Sequence, residues 1–283
     1  MNFIVSKHAG FCFGVKRAVN LTKKNLETKK KIYSLGPLIH NNWVVSRLEK
    51  EGLKVINNLD SVKGGYCIIP SHGVDPNRIR RKNISFIDTT CPFVFKAQDL
   101  VRKLSDSGYE ILILGDKDHP EVKGLVGISK GKAKVIRNKK EAISFISKNK
   151  KMSLISQTTQ SLENYKDVIS KLLEKDFQEL RIYNTICKDV IKRQEEARAI
   201  AEKSDLVIVI GGENSANTKR LVEICRHITR TCHIEDESDI KNEWFKGARV
   251  IGIVTGASTP GEFIGKVKRK IENFDLEKIA CEV

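Results

Sequence analysis

Apolar residues recur along this chain in two alternating patterns. Short apolar runs such as YEILIL (109–114) and DLVIVI (205–210) are typical of buried strands. Between such runs, apolar residues three or four positions apart predict amphipathic helices near 14–28, 41–51, 92–107, 162–175, 188–203, 218–226 and 261–274. Strands that alternate with helices predict βαβ units, mainly parallel sheets and therefore an α/β fold.

Three copies of one longer pattern run through this alternation. Cys12, Cys91 and Cys187 are each followed by Val after three positions, by Gly after twenty-four and by a polar residue after twenty-eight. Each of these glycines ends a strand-like run. Matched spacing in three places predicts three related α/β units around a pseudo-threefold axis, with their polar turns directed at one central cavity. The predicted units are 13–96, 97–192 and 193–283, with 1–12 contributing the first cysteine.

The placement of the cysteines indicates a metal centre. Seven cysteines, an odd number, form no disulfide framework in a chain of this length. Three thiolates brought together by a threefold arrangement are one ligand short of a tetrahedral set, which indicates a metal centre with an open position. Pro92 suits the first turn of a helix, whose dipole would stabilise a thiolate at Cys91. The other four cysteines are expected to be structural: Cys67, Cys225, Cys232 and Cys281.

Polar turns follow the predicted strands. They are GPLIHN (36–41), SHGVD (71–75), GDKDHPEV (115–122), SQTTQS (156–161), GGENSANTKR (211–220) and GASTPG (256–261). Ligands collect at the carboxyl ends of parallel strands, and backbone N–H groups, hydroxyls, amides and imidazoles suit a phosphate group. The chain has neither a Walker loop nor GxGxxG, so a nucleotide substrate is not indicated. Burial of Glu121, beside His119, would raise its pKa and make it a proton donor.

The net charge of the chain gives little information about which molecules it binds. The net charge is +16, but Lys and Arg are scattered along helical faces and only 6% of residues are aromatic, so nucleic-acid binding is not indicated. A basic field would instead raise the encounter rate of an anionic substrate or an acidic redox protein. Without an apolar run of membrane-spanning length or a signal-peptide pattern, we expect a cytoplasmic protein with no membrane partner.

Nine short motifs together carry a family resemblance. In order, they are GFCFGVKRAV, GPLIHN, SHGV, DTTCPFV, HPEVKG, QTT, NTIC, NSANTKRL and GAST. This set resembles the 4-hydroxy-3-methylbut-2-enyl diphosphate reductases over essentially the whole chain. The resemblance implies a trefoil of three α/β units and an iron-sulfur oxidoreductase of isoprenoid biosynthesis. One 4Fe-4S cluster would be held by Cys12, Cys91 and Cys187. The open iron would bind the substrate hydroxyl, and the products would be isopentenyl and dimethylallyl diphosphate.

The resemblance also implies roles for the residues of the polar turns. Those expected to hold the diphosphate are His40, His72, His119, Ser215, Asn217 and Ser258. Thr158 is also expected to bind the substrate. Glu121, Thr158 and His119 would form the catalytic group, in which Glu121 and Thr158 relay the proton for loss of water. Ala216 stands where the family usually has a second Ser, so only its backbone N–H can contribute. No flavin or nicotinamide motif is present, which implies a ferredoxin or flavodoxin as electron donor.

Two other interpretations are open at this point. Quinolinate synthase also places three cysteines of three α/β units around an open 4Fe-4S cluster, but its reaction has no net redox change. A basic RNA-binding protein with a structural zinc is the second alternative, although zinc sites usually show close cysteine pairs such as CxxC. The NSANTKR and QTT turns and Glu121 favour the reductase.

Overall fold

In the computed structural model of the protein, strands alternate with helices along most of the described residues, which are 1–60, 62–79, 83–147 and 150–281. Side chains are described as far as residue 274, so the side chain of Cys281 lies outside them. Every strand pairing is parallel, which confirms the predicted α/β class. No helix in this described part is long and apolar enough to cross a membrane.

The strands are short and largely apolar, as expected for parallel sheets covered by helices. In chain order they are β1 (Asn2–Val5), β2 (Ile32–Leu35), β3 (Lys54–Ile56), β4 (Gly65–Ile69), β5 (Ile84–Asp88), β6 (Glu110–Leu114), β7 (Ala133–Ile136), β8 (Lys151–Ser156), β9 (Glu179–Ile182), β10 (Leu206–Ile210), β11 (Arg230–Ile234) and β12 (Val250–Thr255).

The helices include all seven that the apolar spacing predicts, with ends shifted by a few residues. In chain order they are α1 (Phe13–Thr28), α2 (Asn42–Lys50), α3 (Pro92–Asp106), α4 (Pro120–Ile128), α5 (Lys139–Ser144), α6 (Leu162–Leu172), α7 (Lys188–Ala201), α8 (Ala216–Arg226) and α9 (Glu262–Cys281). The sequence analysis did not predict α4 and α5. Two glycines interrupt the pattern of α4, and α5 is too short to show a helical period.

The chain forms two compact units. The terminal unit comprises 1–12, 40–42 and 188–283, and the central unit comprises 13–39 and 43–187. One sheet lies in the terminal unit and two lie in the central unit. The unit boundaries predicted from the repeat, at 96/97 and 192/193, stay a prediction.

The three sheets share one strand order, which is β3-β2-β4-β5, β7-β6-β8-β9 and β11-β10-β12-β1. In each sheet the strand that precedes a repeated cysteine, β5, β9 or β1, lies at one edge. The terminal sheet takes this strand from the start of the chain, where Asn2 pairs with Val250. The internal repetition is therefore confirmed as a repeat of topology, and the arrangement of the three sheets around a common axis stays a prediction.

The repeated valines and glycines have structural roles. The three valines are buried near the starts of α1, α3 and α7, and they are Val15, Val94 and Val190. Gly115 follows β6 where a Cβ atom would lie 2.8 Å from Val122 and 2.9 Å from Gln157 Oε1. At Gly211, after β10, a Cβ atom would lie 2.5 Å from Thr218 Oγ1. Gly36, the third repeated glycine, has no atom within 4 Å of its Cβ position, but its φ of 91° favours glycine. Two of the repeated glycines therefore allow close packing where polar turns meet helices, and the third allows a left-handed backbone conformation.

Candidate active site

A buried carboxyl group lies among the polar turns of the central unit. Glu121, in the first turn of α4, is only 2% exposed. The backbone N–H of Thr158 donates to Glu121 Oε1 at 2.7 Å, and the Thr158 hydroxyl donates to Oε2 at 2.8 Å. Burial raises the pKa of Glu121 to about 7, although both hydrogen bonds favour the carboxylate. Glu121 can therefore carry a proton near neutral pH, as the sequence predicts.

Two histidines accompany this carboxyl group. His119 is the N-cap of α4, and its Nδ1 accepts a hydrogen bond from the Glu121 N–H at 3.2 Å. An accepting Nδ1 places the ring proton on Nε2. The His72 ring lies edge-on to the His119 ring, with centroids 6.4 Å apart. The structure thus brings together four predicted site residues of the central unit.

Cys91 and Cys187 belong to the same region of the central unit. Cys91 is the N-cap of α3. The pKa of its thiol is raised overall, chiefly by burial. Hydrogen bonds from the backbone N–H groups of Phe93 and Val94 lower this pKa, whereas the nearby Cys187 and Glu121 raise it. The Cys187 N–H donates to the Thr158 carbonyl oxygen at 2.9 Å. Thr158 is therefore hydrogen-bonded both to this cysteine and to the carboxyl group of Glu121.

Gly14 leaves space beside the Cys91 thiol. A Cβ atom at this position would lie 2.5 Å from Cys91 Sγ and 3.0 Å from its Cβ. The start of α1 can approach the cysteine this closely only because the residue lacks a side chain.

The terminal unit contains a second group of predicted site residues. Ser215 is the N-cap of α8, and its Oγ accepts a hydrogen bond from the Thr218 N–H at 3.2 Å. Both side-chain polar atoms of Asn217 and the Thr218 hydroxyl are buried and have no hydrogen-bond partner among the described residues. Buried polar groups without partners are costly, and two of these, Asn217 Nδ2 and the Thr218 hydroxyl, are donors at the start of a helix, where anions bind. Ala216, the first residue of α8, is half-buried.

His40 and Ser258 meet in the terminal unit. The Ser258 hydroxyl donates to the His40 carbonyl oxygen at 3.0 Å, and a Cβ atom at Gly212 would lie 2.7 Å from the same oxygen. Burial lowers the pKa of His40, and the charge of Lys219 lowers it further, so the ring is neutral at neutral pH. The turns that begin α8 and follow β12 therefore converge on His40.

Cys12 ends the irregular segment that follows β1, and its N–H donates to the Ala257 carbonyl oxygen at 2.9 Å. The cysteines expected to be structural occupy other places. Cys67 and Cys225 are fully buried, and burial raises the pKa of their thiols to about 11 and about 12. Cys232 lies in β11, where burial also raises its pKa.

Gln157 is a further residue of this region, and no role for it follows from the sequence motifs. Its side chain is buried at the end of β8, where Oε1 accepts from the Asp116 N–H and Nε2 donates to Thr159 Oγ1, both at 2.9 Å. These bonds join the two polar turns that carry Glu121 and Thr158. Its place in SQTTQS, directly after a strand, is the signal that could have identified it.

Comparison with known proteins identifies the family. The family model described as LytB protein matches residues 3–272. The chain belongs to the LytB family. It is 46% identical to the 4-hydroxy-3-methylbut-2-enyl diphosphate reductase of Geobacter metallireducens and 43% identical to that of Geobacter sulfurreducens, in each case over 98% of this chain and 99% of the relative. The prediction of an enzyme of the oxidoreductase class is confirmed, and neither alternative interpretation is supported.

Two solved structures of LytB-type reductases agree with the fold. An (E)-4-hydroxy-3-methyl-but-2-enyl diphosphate reductase, described as the terminal enzyme of the non-mevalonate pathway, is 38% identical. It aligns over 96% of this chain and 100% of its own, with a TM-score of 0.67. The E-1-hydroxy-2-methyl-but-2-enyl-4-diphosphate reductase from Plasmodium falciparum is 28% identical. It aligns over 95% of this chain and 87% of its own, with a TM-score of 0.90.

Proposed function

We propose that the protein catalyses the reductive dehydroxylation of 4-hydroxy-3-methylbut-2-enyl diphosphate to isopentenyl and dimethylallyl diphosphate. Two electrons and two protons are consumed. The allylic C–O bond breaks, its oxygen leaves as water, and carbon takes up the second proton. The observation that carries this proposal is the protonatable, buried Glu121, bonded to the same Thr158 whose carbonyl oxygen accepts from Cys187.

A 4Fe-4S cluster held by Cys12, Cys91 and Cys187 would, when bound, supply the electrons and a Lewis-acidic iron for the hydroxyl. The residues of the chain fit this group, because the donor set is thiol and Gly14 leaves the approach to Cys91 Sγ open. Among the described residues no three His, Cys, Asp or Glu side chains converge as the ligands of a single ion do. A cluster does not require such a group, since each cysteine binds a different iron.

The proton comes from Glu121 in this proposal. Its pKa of about 7 lets it hold a proton at neutral pH and release it as oxygen develops negative charge. The Thr158 hydroxyl, 2.8 Å from Glu121 Oε2, can pass that proton onward by accepting from the carboxyl group and donating to the leaving oxygen. His119 holds the first turn of α4 in place through the Glu121 N–H.

The residues that would hold the diphosphate are His40, His72, His119, Ser215, Asn217 and Ser258. Asn217 carries the strongest support, because its buried amide group would gain hydrogen bonds from a polar ligand. Ser215 and the first amides of α8 would face the same anion, with the backbone N–H of Ala216 in place of a second hydroxyl. Binding energy from this remote group would position the allylic alcohol for reaction. The electron donor would be a ferredoxin or flavodoxin in the cytoplasm.

Cysteine variants test the ligand set. Cys91→Ser should lose iron, whereas Cys67→Ser and Cys225→Ser should keep full iron content because those thiols belong to the core. Iron and sulfide analysis of anaerobically purified variants measures this directly. Loss of the cluster in Cys225→Ser would show that the ligands are wrongly assigned.

A further inference from the structure

The Glu196 carboxylate of α7 accepts hydrogen bonds from the irregular segment between β1 and Cys12. Glu196 accepts from the Ser6 hydroxyl at 2.6 Å, from the Lys7 N–H at 2.6 Å and from the His8 N–H at 3.2 Å. His8 Nδ1 lies 2.8 Å from Glu196 Oε2. Burial alone would raise the pKa of Glu196, but hydrogen bonds from Ser6, Lys7 and His8 lower it to about 2. Glu196 is therefore a carboxylate at any pH at which the enzyme works.

Arg193, a buried residue of the same helix, forms a hydrogen bond with the second half of this segment. Arg193 is 4% exposed and paired with Asp189 at 2.7 Å. Its Nη2 donates to the Gly10 carbonyl oxygen at 2.9 Å and its Nη1 to the Thr255 carbonyl oxygen at 3.4 Å. The Gly10 N–H in turn donates to Thr255 Oγ1 at 2.9 Å. Gly10 has a φ of 98°, a left-handed conformation that favours glycine.

The contacts of Glu196 and Arg193 take no part in the proposed reaction, yet they hold the residues that precede Cys12, a proposed cluster ligand. The segment has no regular structure, so its conformation depends on such side chains. The Cys12 N–H is fixed to Ala257, and the two α7 side chains fix the chain before it. A ligand held in place before binding loses less conformational entropy when it binds.

We propose that Glu196 and Arg193 are positioning residues that hold Cys12 ready for the iron-sulfur cluster. This inference rests on the proposed function, because it assumes that Cys12 is a cluster ligand. Groups that hydrogen-bond a metal ligand directly change affinity by roughly 10- to 100-fold when they are replaced. Glu196 acts on Cys12 only through residues 6–8, so we expect Glu196→Gln to bind the cluster but to release it to a chelator up to about 10-fold faster.

The test compares Glu196→Gln with Glu195→Gln, an identical substitution at the adjacent, exposed position of α7. Cluster release is followed by loss of visible absorbance after anaerobic addition of an iron chelator. In the apo proteins, the rate of thiol alkylation is measured separately for each cysteine by mass spectrometry. Faster release, together with faster alkylation of Cys12 but not of Cys67, is the expected result for Glu196→Gln. Wild-type rates are expected for Glu195→Gln.

Two milder variants cover the case in which Glu196→Gln does not fold. Ser6→Ala removes one donor to Glu196, and Arg193→Lys keeps a charge for Asp189 but loses the fork that reaches two carbonyl oxygens. Both should show the same changes to a smaller extent. Wild-type rates of cluster release and Cys12 alkylation in folded variants would overturn the inference. A wild-type protein that binds no cluster would overturn the proposed function instead, so the two failures are distinguishable.

Discussion

Glu121 is the residue whose charge state connects the structure with the reaction. Burial places its pKa near 7, and Thr158 holds both carboxyl oxygens. A carboxyl group with this pKa is a better proton donor at neutral pH than an exposed one, which would be ionised. Glutamine keeps the shape of the side chain and removes the transferable proton.

Glu121→Gln should therefore lower turnover by roughly 100- to 10,000-fold, the usual contribution of general acid catalysis. Iron content should be unchanged, because Glu121 is not a proposed ligand. Glu49→Gln, an exposed position in α2 of the same unit, should behave as the wild type in both assays. Normal turnover in Glu121→Gln would remove this residue from the proton transfer.

The pH dependence of stability follows from the same group. The folded-state pKa of about 7 lies above the ordinary value of 4.5, so the native state holds this proton more tightly than the unfolded chain. The stabilisation is complete below about 4.5 and is lost as pH rises through about 7. Between pH 5 and 8.5 the wild type should lose on the order of 2 kcal/mol of unfolding free energy relative to Glu121→Gln. Urea unfolding of both proteins at the two pH values measures this difference, and parallel pH curves would contradict it.

Asn217 offers a contrasting test of binding, because its buried amide atoms have no partner among the described residues. Asn217→Ala should raise the KM for the diphosphate substrate about 10-fold or more, since hydrogen bonds to charged groups contribute roughly 1.5 to 3 kcal/mol. The melting temperature of the ligand-free protein should change little, because no hydrogen bond to the described residues is lost. Asn242→Ala, at an exposed position of the same unit, serves as the control. An unchanged KM in Asn217→Ala would separate this residue from the diphosphate.

Among the elements, the starts of α1 and α3 pack together too closely to accept added volume. Gly14→Ala would place a methyl group 2.5 Å from Cys91 Sγ, too close for either atom to stay in place. We expect this variant to lose most of its iron while remaining folded. Gly265→Ala in α9, where the nearest atom is 3.5 Å away on a flexible arginine, should keep its iron. Full iron content in Gly14→Ala would show that Cys91 need not be approached so closely.

The elements also show what a sequence can and cannot predict. Strands, seven helices and the turns that carry Glu121 and Thr158 follow from periodicity and from the ends of parallel strands. Contacts between residues far apart in the chain produce no pattern in the sequence. The four contacts that Glu196 makes with residues 6–8 join positions about 190 apart in sequence, and nothing near Glu196 in the sequence marks it. Helix α4 was not predicted because Gly124 and Gly127 interrupt its apolar spacing. These glycines allow the helix to pack closely against Val74 and Asp75.

For the whole molecule, the net charge of +16 has a kinetic consequence. An acidic electron-carrier protein should be attracted over a distance that shortens from about 30 to about 8 Å as ionic strength rises from about 0.01 to 0.15 M. Turnover supported by a plant-type ferredoxin should therefore fall several-fold over this range at subsaturating carrier. Turnover driven by dithionite and methyl viologen is the comparison and should fall far less. Equal salt dependence with both donors would argue against an acidic carrier.

Anaerobic purification followed by metal analysis and an activity assay would establish both the cluster and the reaction. The expected result is about four iron and four sulfide per chain, as in a 4Fe-4S cluster. Oxidation of reduced methyl viologen on addition of 4-hydroxy-3-methylbut-2-enyl diphosphate should follow, with formation of isopentenyl and dimethylallyl diphosphate. Zinc in place of iron, or a complete cluster without turnover of this substrate, would contradict the proposed function.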